Sequence, residues 1–126
     1  MKIGLIDADL LDNGTRHPNL ALMKLSGYHK AKGHEVELLN AYKDIEAYDQ
    51  VLVSKVFSFT NFPEEILSIK TVTYGGSGFF PDGGGPQLPS AIEHHMPDYD
   101  LYTDYVLQKI LKWITSLGQN PSFFKV

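Results

Sequence analysis

The chain has 126 residues, which suits one domain with a single core. Apolar residues make up 43% and charged residues 21%, the balance of a globular protein rather than a disordered or fibrous one. A net charge of -4 argues against a nucleic-acid or anionic-membrane partner, and with no cysteine the chain offers no disulfide, thiolate nucleophile, cysteine zinc site or iron–sulfur ligand.

No run of about 18 apolar residues occurs, so no membrane span is expected. A strand-like segment follows Met1-Lys2 at once, without a signal-peptide pattern. A cytoplasmic location is the resulting expectation.

Lys2-Ile-Gly-Leu-Ile-Asp7 is short, apolar and ends in an acid, which fits a strand buried on both faces. Asp7, Asp9 and Asp12 then read as an acidic loop closed by Asn13-Gly14. Pro18 can open a helix, and Leu20, Leu22, Met23, Leu25, Tyr28 and Ala31 give it an apolar stripe, with Gly33 as its stop. Gly27 lies inside that helix, where it costs about 1 kcal/mol relative to Ala and suggests close packing on the sheet.

His34–Asn40 alternates before turning apolar, the pattern of an edge strand. After a linker bearing Asp44, Glu46 and Asp49, Gln50–Ser54 reads as a buried strand, and Lys55–Thr60 as its extension or the loop beyond it. Phe62–Ser68 reads as a short helix with acids in its first turn. Thr71–Gly78 is a β-branched run that ends in glycines. Phe79–Pro89, with Gly83-Gly84-Gly85 and three prolines, is an irregular loop.

Ser90 and Glu93 form the capping pattern of another short helix, followed by an extended Met96–Tyr102. Thr103–Leu117 is the clearest amphipathic helix, with Val106, Leu107, Ile110, Leu111, Ile114 and Leu117 at helical spacing and Gly118 after it. Its stripe is expected to cover one face of the sheet. Trp113, off the main line, is the candidate for a partner surface. The packing of the tail Gln119–Val126, with Phe123-Phe124, is not readable from sequence.

This order of elements makes a single α/β domain over 1–126, a three-layer flavodoxin-like (Rossmann-like) parallel sheet with strand order 2-1-3-4. In such sheets ligands bind outside the carboxyl ends of the strands. Asp7 and Asp9, Ser54, and Gly75-Gly76 fall at those ends and are the candidate ligand-binding residues. The glycines could cradle an anion through backbone N–H groups. They form neither a Walker loop, since no Gly-Lys-Ser/Thr follows, nor a dinucleotide fingerprint, since no long helix opens there.

Asp7, Asp9 and Asp12 could hold a hard cation. A receiver-type phosphoacceptor site is excluded, because Ser54 stands where an Asp is required. His17 could face the same edge. His94-His95 could add a ligand with Asp98 or Asp100, although adjacent helix residues diverge. Lys55 could pair with Asp7 or with an anion.

Several segments together carry a resemblance. They are Met1–Asp7, Pro18–Val36, Val53–Thr60, Tyr74-Gly-Gly-Ser-Gly-Phe79, Leu88-Pro89 and Ile92–Tyr102. Over about residues 1–102 the chain resembles the N-terminal, cobalamin-binding-like domain of radical S-adenosylmethionine proteins. The resemblance implies a barrel with a Cys-x3-Cys-x2-Cys cluster site further on, which a chain without cysteine cannot supply. It also implies a cobalt-ligating Asp-x-His-x-x-Gly after the first strand. The comparable stretch is Asp7-Ala-Asp9-Leu-Leu-Asp12, with no histidine. Ser54-Lys-Val56 nearly matches the family's Ser-x-Leu, and Gly75-Gly76 matches its Gly-Gly.

The expectation is therefore an accessory or binding module with no catalytic residue, metal or cofactor assigned. Its partner would be a radical S-adenosylmethionine chain or a second copy of itself. The rival reading is a small metal-dependent enzyme or metal-binding module using Asp7, Asp9 and His17.

Overall fold

Four short strands lie side by side and all parallel, in the order β2-β1-β3-β4, in the computed structural model, which describes residues 1–14 and 17–117. They are β1 (Lys2–Asp7), β2 (Glu35–Leu38), β3 (Gln50–Ser54) and β4 (Val72–Gly75). This is the flavodoxin-like sheet expected from the sequence. The reading of Gly118 as a helix stop and the Gln119–Val126 tail lie outside the described residues.

Alternation along the strands divides the core between two faces. Ile3, Leu5 and Leu38 pack on one face with Leu22 and Met23 of α2 (Leu20–Ala31) and with Leu101. Ile6, Val51, Val53 and Val72 pack on the other with Leu39, Ile45 and Ile66. Each fully buried Leu or Ile contributes roughly 2 kcal/mol. The second face is covered by α1 (Ala8–Asn13) and by two 3₁₀ turns, Ile45–Ala47 and Glu64–Ser68. The second of these stands where a short helix was expected.

The acidic stretch after β1 is a helix rather than a loop. Asp7 is its N-cap, accepting from the Leu10 N–H at 3.1 Å, and Gly14 closes it with φ +68° and a bond from its own N–H to the Leu10 carbonyl. The following helix starts two residues later than expected. Asn19, not Pro18, sets its start by accepting from the Leu22 N–H. Gly27 of that helix faces the Met96–Asp98 segment and not the sheet, and an added Cβ would collide with the Met96 carbonyl oxygen. The helix α3 (Ser90–Glu93) begins at Ser90, but Pro89 holds the cap position and no side chain caps it. Lys55–Thr60 is the loop after β3, not an extension of it.

The last helix, α4 (Leu101–Ser116), departs most from expectation. Leu101 is its buried residue, and Tyr102 and Tyr105 add partial packing. At 100° per residue, the side nearest the body runs through Leu101, Asp104, Tyr105, Gln108 and Lys112, which line a groove beside Val36 and Leu38 of β2. Leu107 and Leu111 border the same groove, while Val106, Ile110, Trp113 and Leu117 of the apolar stripe lie on the other side. Val106, Leu107, Ile110, Leu111, Trp113 and Leu117 are all exposed. Most of the stripe expected to cover the sheet faces away from it, because Leu101, Tyr102 and Tyr105 at the start of the helix supply the apolar packing that anchors it.

Candidate ligand cleft at the carboxyl edge

Strand register places three of the candidate residues in one row. Asp7 is opposite Ser54 across β1 and β3, and Ser54 is opposite Gly75 across β3 and β4. The row crosses the switch point of the sheet, where the connections from β1 and β3 run to opposite sides.

Two residues that the sequence reading passed over tie this row to the helices. Tyr102 of α4 donates from its hydroxyl to Asp7 Oδ2 at 2.5 Å and accepts from the Asn19 N–H at 2.9 Å. Asn19 Nδ2 donates to Ser54 Oγ at 2.8 Å. Asp7, Tyr102, Asn19 and Ser54 thus form one connected chain of hydrogen bonds joining β1, α4, α2 and β3. Asn19 followed by an apolar run is an N-cap signal that could have found the start of α2. Nothing local in the sequence pairs Tyr102 with Asp7.

Burial raises the Asp7 carboxyl above the usual carboxylate range, against the lowering effect of its bonds from Tyr102 and Leu10. Burial and the Asp7 carboxylate together push the Tyr102 phenol strongly upward, so Tyr102 stays a neutral donor.

Asp9 is buried too, and both its oxygens are engaged. It accepts from the Val56 N–H at 2.8 Å, the Phe57 N–H at 3.2 Å and the Thr60 hydroxyl at 2.6 Å. Asp12 accepts from the Asn61 N–H at 3.1 Å. These acids hold the loop after β3 in place. Among the described residues, no group of three His, Cys, Asp or Glu side chains is arranged to hold a metal ion. His17 is exposed and stands at the same cleft. His95 engages the Met96 carbonyl through Nδ1 and meets Tyr28 edge to face. His29 and His34 lie against one another at the far end of α2.

The two glycines differ. Gly76 has φ +107°, and a Cβ there would strike the backbone of Lys55. Gly78 is also pressed on Lys55, whose carbonyl accepts the Gly78 N–H at 2.8 Å. Gly75 has open space where a side chain would be. Lys55 is buried, with its ammonium 4.6 Å from the Phe79 ring centroid instead of in an ion pair with Asp7.

Two adjoining hollows open along this edge. One, of about 390 Å³, is lined by Asp7, Asp9, His17, Asn19, Ser54 and Gly76, with Leu20 and Phe57 on its rim. The other, of about 640 Å³, runs between Leu25 of α2, the ends of β3 and β4, and Leu88, Pro89 and Ile92. Ser54 and Gly76 line both. The second hollow has the size of a small-molecule site, and its walls are mostly apolar.

Comparison with family models, with curated proteins and with solved structures finds no match.

Proposed function

We propose that this chain is a non-catalytic binding module, similar to the N-terminal cobalamin-binding-like domain of radical S-adenosylmethionine proteins. Its ligand lies in the cleft that Ser54, Gly75 and Gly76 share. One observation carries the reading. Asp7, Asp9 and Ser54 are all engaged in internal hydrogen bonds, while the adjoining 640 Å³ hollow is open and apolar. A nucleophile or general base must reach a substrate proton or carbon. Here the polar groups brace the fold, and the apolar walls and bare glycine backbone are left to receive a ligand. Neither cobalt ligation nor cluster chemistry is assigned to the chain, and a radical S-adenosylmethionine chain is the proposed partner for the cleft face.

The test is a titration of the full chain with small aromatic and aliphatic amphiphiles, and with hydroxocobalamin, followed by ¹⁵N-resolved NMR. Saturable shifts centred on Ser54, Gly75, Gly76 and Ile92 are expected. Shifts confined to other surfaces, or none with any probe, overturn the reading. Saturable binding of Mg²⁺ or Zn²⁺ at Asp7, Asp9 and His17 would favour the metal-dependent alternative instead.

A further inference from the structure

Leu52 and Ser54 of β3 stand opposite Thr73 and Gly75 of β4. These four residues line the larger hollow, and the small size of Ser54, Thr73 and Gly75 leaves room above the strands. Its walls are aliphatic, with Leu25 of α2 on one side and Leu88 and Ile92 on the other. Among the described residues, the charged side chain at this hollow is Glu93, which is paired with Lys24 at 3.0 Å.

Past Ser54 and Gly76, which line both hollows, the cleft changes character. The smaller hollow lies over Asp7 and Asp9, which are 1% and 2% exposed. Among the described residues, no lysine or arginine pairs with either carboxylate. Their donors are the Tyr102 and Thr60 hydroxyls and the N–H groups of Leu10, Val56 and Phe57. Lys55 turns to the Phe79 ring instead. Leu20, Val56 and Phe57 border the hollow, and Phe57 stacks on the exposed Phe59 at 5.2 Å.

We infer, on the reading that the chain holds a ligand in this cleft, that the ligand is a cationic amphiphile: an aliphatic tail bearing a quaternary ammonium head. The tail lies between Leu25 and Ile92, where aliphatic walls reward burial of hydrocarbon. The head lies beside Phe57, over Asp7 and Asp9. Two buried carboxylates without a cationic partner make the smaller hollow negative, and the apolar walls strengthen that field. An anionic head is therefore repelled. The carboxylate oxygens are already turned to internal donors, so a primary ammonium entering the hollow would leave its own N–H groups unpaired. A quaternary ammonium has no N–H to satisfy and is drawn by the field and by the aromatic surface alone.

The experiment is titration of the full chain with four probes that share one tail, octyltrimethylammonium, octylammonium, octanoate and 1-octanol, each below its micelle concentration, followed by ¹⁵N-resolved NMR. Octyltrimethylammonium is expected to bind roughly 10-fold more tightly than 1-octanol, and octanoate most weakly. Shifts should appear at Val56 and Phe57 for the head and at Leu25, Thr73 and Ile92 for the tail. Asp7→Asn, which keeps an oxygen for the Tyr102 hydroxyl, should cut the preference for the cation several-fold. Binding of 1-octanol to the same variant reports that the cleft is still formed. Failure of all four probes to bind overturns both the cleft and its ligand class. Binding of 1-octanol or octanoate as tight as that of octyltrimethylammonium overturns the ligand class and leaves the cleft standing. So does tighter binding of octylammonium, or a preference unmoved by Asp7→Asn.

Discussion

The hydroxyl of Tyr102 meets the carboxylate of Asp7 at 2.5 Å, across 95 residues of chain. This contact fixes the first turn of α4 to the end of β1 and, through the Asn19 N–H, to the start of α2. It is the point where the last helix joins the fold.

Tyr102→Phe should therefore cost about 2 kcal/mol at neutral pH, the worth of a hydrogen bond to a charged group. The loss should depend on pH. Burial, outweighing the bonds from Tyr102 and Leu10, raises the Asp7 pKa in the folded chain. The folded state then holds a proton on Asp7 that the unfolded state has released, so stability falls as pH rises through that window. Without the Tyr102 bond the Asp7 pKa rises further, and the window widens upward. Urea unfolding between pH 3.5 and 7 should show a small penalty for Tyr102→Phe at the acid end and a larger one at neutral pH. Asp7→Asn should flatten the dependence that Asp7 contributes. Asp98 has the opposite sign. Burial raises its carboxyl, but Lys30 and Ser26 prevail and lower it. The comparison must therefore be made between variants, not on the parent curve alone. An equal penalty for Tyr102→Phe at both ends would mean that the bond does not hold a charged carboxylate.

Removal of the Asp9 carboxylate should loosen the loop after β3. Asp9→Ala leaves the Val56 and Phe57 N–H groups and the Thr60 hydroxyl without their acceptor. A cost of about 3 kcal/mol is expected. Asp9→Asn keeps one oxygen and should cost less. Amide exchange at Val56 and Phe57 should quicken in both variants before the core strands respond. Unchanged protection there would show that the carboxylate is not what fixes the loop.

Gly75 and Gly76 should respond in opposite ways to a methyl group. Gly76→Ala puts a Cβ at φ +107° against the Lys55 backbone and should cost about 2–3 kcal/mol. Gly75→Ala meets open space and should leave thermal stability nearly unchanged. Because Gly75 lines the 640 Å³ hollow, Gly75→Leu should narrow it and weaken any ligand held there without unfolding the chain. Thermal melts and ligand titrations of the three variants separate the structural glycine from the one that leaves room. Destabilisation by Gly75→Ala as large as by Gly76→Ala would remove the distinction.

Much of this was legible because it is local. The alternation in β2, the apolar runs of β1 and β3 and the glycine exit of β4 each follow from a short window, and right-handed crossovers then fix the order 2-1-3-4. The row Asp7, Ser54, Gly75 follows from three strands ending at one edge. What was not legible is long-range or competitive. Asp9 could equally be a ligand or a clamp until the Val56–Thr60 loop is seen to fold over it. The stripe on α4 has the pattern of a core helix, but periodicity gives the width of an apolar face and not its direction. Gly27 announced close packing correctly but not its partner, since Met96 lies far along the chain.

Tyr42 supplies a prediction in the stabilising direction. Its hydroxyl is buried with no hydrogen-bond partner among the described residues, while its ring packs edge to face on Phe62 at 5.4 Å. Burial, with the nearby charges of Asp12, Asp7 and Asp9, pushes the phenol strongly upward, so it stays neutral. A buried, unpaired hydroxyl loses its water bonds on folding and gains none in return. Tyr42→Phe keeps the ring contact and removes that cost, so the variant should be more stable by about 1 kcal/mol, a rise of several degrees in Tm. Tyr42→Leu, which removes both hydroxyl and ring contacts, should be destabilised by about 1–2 kcal/mol. Differential scanning calorimetry of the two variants at one pH checks both signs. Loss of stability in Tyr42→Phe would mean that the hydroxyl has a bound water or another partner, and that the Asp12 end of α1 is braced through it.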